Sequence, residues 1–158
     1  MLIKKIYLDM DGVLCNFDKR YKELYGEKTK DNFRNNWPDF IQTKQFETLE
    51  WMPGARVLLD FIEFYPVKIE ILSSSGGNDY HEYVKAQKEL WLLNHDINYY
   101  PNIVPGKGYK KVYASPENIL IDDTQSIIDD FNEAGGIGIH HQDIGKTIDS
   151  LKYILDVD

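Results

Sequence analysis

A chain of 158 residues with 26 Asp and Glu against 18 Lys and Arg carries a formal charge of -8, which disfavours a nucleic acid polymer or an anionic membrane surface as its main partner. That length predicts one domain with at most a small insertion, and an aromatic content of 13% excludes a disordered chain. The single Cys15 forms no internal disulfide, the sequence opens on no apolar leader and no apolar run is long enough to span a bilayer, so a cytoplasmic protein is expected.

The first predicted element is a strand over 3–8, an apolar, β-branched and aromatic run that stops at Asp9 and Asp11. Gly12 bends the chain directly afterwards, so the two carboxylates are expected on a loop at the strand's C-terminal end. Asp-x-Asp-Gly is also an ordinary turn sequence, and the pattern alone does not separate the two readings. A helix over 17–25 follows from the spacing of Phe17, Tyr21, Leu24 and Tyr25, with Asn16 as its N-cap and Gly26 at its end. Residues 27–51 are polar, punctuated by Phe33, Trp37, Phe40, Phe46 and Trp51 and broken at Pro38; short helices forming a small cap over the site are expected. Those aromatics are either the cap's own core or, for one or two of them, a platform for a ligand's ring.

Met52-Pro53-Gly54-Ala55 reads as a turn that launches a helix with Val57, Leu58, Phe61, Ile62 and Tyr65 on its apolar stripe. Residues 67–72 alternate as a second strand and run out into Ser73-Ser74-Ser75-Gly76-Gly77, a loop rich in donors. A helix over 78–94, carrying Tyr83, Leu90, Trp91 and Leu93, precedes a short third strand at 102–104. The basic stretch 106–111 is either a solvated turn or a source of a phosphate-binding lysine. Residues 118–121 form an all-apolar run, as for a strand buried on both faces, and this strand too ends in carboxylates, Asp122 and Asp123. Thr124 then caps a helix closed by Gly135, residues 137–139 offer a last strand, His140 and His141 are expected on the surface or in a loop, and 143–155 form an amphipathic helix.

Strands alternating with helices imply an α/β, Rossmann-like parallel sheet covered on both faces. Ligands bind beyond the carboxyl ends of such strands, so the tails Asp9/Asp11, Ser73/Ser74 and Asp122/Asp123 should meet in one crevice. The expected division is a core of residues 1–14 and 53–158 with a cap of residues 15–52. Carboxylates gathered from two strand ends repel one another unless a cation joins them, and an oxygen-only cluster suits Mg²⁺. One aspartate is then available as a nucleophile toward phosphorus and another as a general acid and base.

Asp9-Met10-Asp11-Gly12-Val13-Leu14, then Ile71-Leu72-Ser73, a lysine among 107, 110 and 111, and Ile119-Leu120-Ile121-Asp122-Asp123 resemble, in order, the four motifs of the haloacid dehalogenase (HAD) superfamily of phosphatases. The resemblance implies Asp9 as nucleophile, Asp11 as general acid and base with its carbonyl on Mg²⁺, and Ser73 and a lysine as phosphate ligands. It leaves open whether Asp122 or Asp123 touches the metal directly, so the metal set is Asp9, Asp11, Asp122 and Asp123. Lys111 fits the lysine position best, Lys110 next, and Lys107 is possible. A narrower similarity, resting on the aromatic Phe17 after the first motif and on Met52-Pro53-Gly54-Ala55 before the second, is to the 5'(3')-deoxyribonucleotidase family. It implies a deoxynucleotide monoester as substrate, Phe17 stacked on the base, Trp37 and Trp51 enclosing it, and Ser74 and Lys110 among the substrate contacts. A sugar phosphatase, a phosphotransferase and a non-catalytic binding protein of the same fold are the competing readings; Ser73 as a hydrolase nucleophile lacks its glycine-flanked elbow.

Overall fold

The computed structural model describes residues 2–156. Five strands, β1 (Lys5–Leu8), β2 (Lys68–Ser74), β3 (Tyr100–Val104), β4 (Asn118–Asp122) and β5 (Ile137–His140), form one parallel sheet in the order β3-β2-β1-β4-β5. The α/β, Rossmann-like architecture expected from the alternation of elements is therefore present, with β1 at the centre between β2 and β4. The register sets Leu8 opposite both Ile71 and Ile121, so the tails of the three central strands emerge at the same end of the sheet.

The two-residue period of the strands divides the core into two layers. Ile6, Leu8, Ile71, Ile103, Ile119, Ile121 and Ile139 pack on one face with residues of α3 (Ala55–Ile62), α4 (His81–Asn94) and α6 (Ile144–Leu155). Their neighbours Tyr7, Leu72, Val104 and Leu120 pack on the other against Ile127, Ile128 and Phe131 of α5 (Gln125–Glu133). The α3 stripe is Ala55, Leu58, Leu59 and Ile62, and Val57 points to solvent, one position off the expected face. On α4 the inward residues are Val84, Gln87, Lys88, Trp91 and Leu92, while Tyr83, Leu90 and Leu93 are exposed. The helix also begins at His81, because Gly76 and Gly77 adopt positive φ and the chain turns until Tyr80. Thr124 starts α5 without a side-chain cap bond; its own N–H donates to Asp122 Oδ1 at 2.9 Å instead.

Between β1 and α3 lie α1 (Phe17–Tyr25), α2 (Lys30–Gln42) and a 3-10 turn, Gln45–Thr48. Asn16 caps α1 and Gly26 ends it as expected, whereas Pro38 does not break the chain into short helices: α2 runs through it for 13 residues. Proline there deprives only the carbonyl of Arg34 of its helical partner, and Arg34 is exposed, where water satisfies such a group. Thr29 and Asn32 fix the start of α2 with a reciprocal capping box. The two ends of this segment meet at a narrow neck, where Asn16 N–H donates to Glu50 O and Met52 N–H donates to Leu14 O, both at 2.8 Å. Among the described residues no helix is long and apolar enough to cross a membrane.

Candidate active site

Asp9 follows β1 directly, and its N–H still donates to Ile121 O at 3.0 Å, so its backbone remains part of the sheet. The chain then coils tightly, with the N–H groups of Val13, Leu14 and Cys15 all converging on Met10 O. This coil turns Asp11 and Gly12 over the strand ends. Gly12 has φ +84°, and a Cβ there would overlap the carboxylate of Asp123, so only glycine lets the first motif and the β4 tail approach this closely.

Asp9 and Asp122 are buried side by side around one ammonium: Lys110 Nζ lies 3.0 Å from Asp9 Oδ1 and 2.7 Å from Asp122 Oδ2. Lys110 comes from a second 3-10 turn, Lys107–Tyr113. Such a turn rotates by about 120° per residue, so adjacent lysines cannot both face inward. Lys110 is buried and Lys111 is exposed. The structure thus replaces Lys111, the preferred expectation, with Lys110, and puts Lys107 at the rim of the cavity.

A second buried lysine, Lys88 on α4, is absent from the sequence-derived set. Its Nζ donates to Asp11 Oδ2 at 2.9 Å, Ser73 Oγ at 2.7 Å and Ser74 O at 2.9 Å. One sequence signal marks it: Lys88 stands four residues after Val84 and three before Trp91, on the buried stripe of the helix, where an unpaired lysine is not tolerated. Ser73, expected to touch phosphate, is fully buried behind Lys88, and Ser74 lines the cavity in its place. Ser74 Oγ also accepts from Gly76 N–H at 3.1 Å, which holds the loop in its turn.

The acids open into a cavity of about 420 Å³ walled by Phe33, Trp37 and Lys28 from the inserted segment and by Lys107 and Thr124 from the sheet side. Phe17 lines this cavity but is almost wholly buried. Its ring is packed among Phe40 at 4.9 Å, Phe46 at 5.7 Å and Phe33 at 6.2 Å, with Lys28 Nζ 5.5 Å from its centroid, so a base has no free face of Phe17 to stack on. Trp37 does border the cavity, and its ring rests on Gly76, where a Cβ would come within 2.9 Å of it. Trp51 does not enclose the site: it packs against Trp91 at 5.0 Å and His95 at 5.1 Å, under Arg56. Neither histidine of the β5 tail is a free surface residue; His141 is buried with Nδ1 2.7 Å from Thr147 Oγ1, and His140 Nε2 lies 2.9 Å from Asp123 O. Both line a larger neighbouring cavity of about 690 Å³ that meets the first at Gly12 and Asp123.

Crowding of the acids is visible in their proton affinities. Burial raises Asp9 to about 6, with the charge of Asp122 adding to the rise and Lys110 opposing it. Dehydration, then the charges of Asp9, Asp122 and Asp11, raise Asp123 to about 7. Asp11 is likewise raised by burial, against the pull of Lys88. Burial alone would lower the Lys110 ammonium, but Asp9 and Asp122 hold it above its ordinary value.

Once all four carboxylates are ionised, the two lysines facing them leave two negative charges. Oxygens of Asp9, Asp122 and Asp123 lie within 4.8 Å of one another, a hard, all-oxygen set that fits a small divalent cation. The Gly12 cradle, which brings the Asp123 carboxylate into the cluster, is consistent with such an ion.

No family model matches the sequence, and no curated protein matches it. Solved structures do share the fold. A HAD-superfamily hydrolase from Ehrlichia chaffeensis superposes with a TM-score of 0.55 at 15% identity over 99% of this chain and 100% of that one. A hydrolase from Streptococcus pneumoniae TIGR4 gives 0.54 at 16% identity, with 99% and 100% covered. A HAD-family enzyme from Bacteroides thetaiotaomicron gives 0.52 at 14% identity over 90% and 95%. The chain thus has the fold of HAD-type hydrolases.

Proposed function

We propose that this protein is a phosphomonoesterase that forms an aspartyl phosphate on Asp9, with residues 15–52 acting as the cap over the reacting group. The observation that carries this reading is the buried Asp9 carboxylate, clamped by Lys110 at the end of the central strand and flanked by Asp122, Asp123 and Asp11 beneath a walled cavity. An acid cluster built only to stabilise the fold would gain nothing from being gathered at strand ends around a cavity. Asp9 attacks phosphorus, and the ester bond breaks as Asp11 gives a proton to the departing oxygen. Water then attacks the acyl phosphate and returns a proton to Asp11. Lys110 holds Asp9 in place and offsets charge on the phosphoryl oxygens, and the Ser74 hydroxyl, whose oxygen accepts from Gly76 N–H, keeps its hydrogen for them. Mg²⁺, held by Asp9, Asp122 and Asp123 with the Asp11 carbonyl, would supply further positive charge to the phosphoryl group.

The substrate proposed is a nucleoside monophosphate, in first place a deoxynucleotide. Support for it comes from the motif resemblance and from the aromatic wall, with Trp37 and Phe33 taking the role first expected of Phe17. The test is phosphate release from deoxynucleotides, ribonucleotides, sugar phosphates and an aryl phosphate, each with Mg²⁺ and with EDTA. Mg²⁺-dependent release led by the deoxynucleotides is expected. A preference for sugar phosphates would remove the nucleotide assignment, and silence across the panel, or full activity in EDTA, would remove the proposed chemistry.

Asp9 and Asp123 have folded-state values of about 6 and about 7, above their ordinary 3.8. Their contribution is therefore fully present below about pH 4 and is lost as pH rises through these values. A divalent cation competes with the protons and reverses that loss. Mg²⁺ is expected to raise Tm more at about pH 8 than at about pH 5, and equal shifts in differential scanning fluorimetry would argue against these acids as its ligands.

A further inference from the structure

Two further lysines line the catalytic cavity and take no part in the chemistry above: Lys28 from the inserted segment and Lys107 from the sheet side. Neither is drawn to the acids of the strand ends. Among the described residues Lys107 pairs with no carboxylate, and Lys28 pairs only with Asp18 Oδ1, at 3.3 Å. The Lys28 ammonium lies 5.5 Å from the ring centroids of both Phe17 and Phe33, which places it in the aromatic wall. Its bond to Asp18 joins two solvent-exposed groups, a weak arrangement that leaves the ammonium available to another anion. Beside it Phe33 and Trp37 offer rings, and no side-chain amide lines the cavity to read the edge of a base. The reacting phosphoryl group is already served by Lys110 and Ser74. In a chain of net charge -8, two more cations around the same cavity are left with nothing to bind if the released alcohol is neutral.

We infer that the substrate carries a second anionic group on the part that is released, bound by Lys28 and Lys107 while the body of the molecule lies against Phe33 and Trp37. The inference rests on the phosphatase reading above and narrows its substrate. Two kinds of ester share this chemistry: a deoxynucleoside bisphosphate, whose second phosphate is the anion, and a phosphorylated aromatic alcohol bearing a carboxylate. Lys28 and Lys107 are then specificity-determining residues, which act by binding the leaving part of the ester. Asp18 sharpens the choice, since its carboxylate on the same wall repels an anion that does not engage the Lys28 ammonium.

The test measures kcat/KM for phosphate release, as initial rates with Mg²⁺, on two matched pairs: phenyl phosphate against meta-carboxyphenyl phosphate, and thymidine 5'-monophosphate against thymidine 3',5'-bisphosphate. Wild type is expected to prefer the more charged member of one pair by about tenfold or more, and the pair that shows it identifies the anion as carboxylate or phosphate. Lys28→Met and Lys107→Met are each expected to cut that preference by about fivefold or more, the loss appearing in KM. Both positions are exposed, where a substitution does not endanger the fold. Lys30→Met, which removes the same charge from an exposed position outside the cavity, is expected to keep the wild-type preference. A preference undiminished in either cavity variant, or lost equally in Lys30→Met, would overturn the inference. So would a wild type that cleaves the less charged esters with no preference in either pair, and the phosphatase reading would then stand without it. If wild type cleaves no ester of either pair, the phosphatase reading fails and this inference falls with it.

Discussion

Replacing Asp9 by Asn is expected to lower phosphate release by roughly 10⁴-fold or more while leaving the protein folded. The substitution is nearly isosteric, and Lys110 keeps its contact with Asp122 at 2.7 Å, so the packing around the strand end survives. Stability should not fall, and in metal-free buffer at neutral pH Tm should rise. The reason lies in the direction of the Asp9 shift: burial and the neighbouring Asp122 make its ionised form unfavourable in the fold, and an amide removes that charge. Phosphate release and a thermal melt on the same preparation check both halves. Substantial turnover by pure Asp9→Asn protein would exclude Asp9 as the nucleophile.

Lys110 and its neighbour Lys111 should behave as opposites. Lys110→Met removes the one ammonium shared by Asp9 and Asp122, and leaves two buried carboxylates facing one another. Breaking a buried ion pair from one side costs about 3–5 kcal/mol, which urea unfolding would register as a large drop in midpoint. Activity should vanish as well, because Asp9 loses the group that orients it. Lys111→Ala, on the exposed side of the same turn, should change stability by about 0.5 kcal/mol or less and leave turnover unchanged. An Mg²⁺ titration of Lys110→Met adds a further check, since a cation placed among Asp9, Asp122 and Asp123 should recover part of the lost stability. Indifference of the fold to Lys110→Met, or loss of activity in Lys111→Ala, would reverse the assignment.

The residues legible in the sequence are those whose position follows from local pattern. β1 and β4 are apolar runs that stop at acids, and a parallel sheet carries both tails to one edge whatever the details of the helices. Pattern alone thus gathers Asp9, Asp11, Asp122 and Asp123 at one end of the sheet. The sequence favours Lys111 where the fold uses Lys110, because the choice depends on the phase of a 3-10 turn between the third and fourth strands. Lys88 was hidden for a different reason. It acts across the fold, from a helix onto two strand tails, and its spacing from Val84 and Trp91 reads as core until the acceptors beside it are known. Trp51 and Trp37 illustrate the same limit among aromatics: both are large rings in a polar segment, yet one closes against Trp91 beneath the neck and the other rests on the glycine of the β2 loop. Composition carries no vector, and direction is what separates them.

The neck at residues 14–16 and 50–52 also bears on how the chain reaches this arrangement. Leu8 must find Ile71 across the whole inserted segment before the central pair of strands exists. A segment that first gathers its own aromatics and joins Cys15 to Trp51 shortens that search by more than half. Each halving of a loop lowers the entropy of closure by about 0.6 kcal/mol, close to a threefold gain in encounter rate. With its neck closed, the excursion that walls the cavity leaves β1 and β2 joined by less than half of the sequence that separates them.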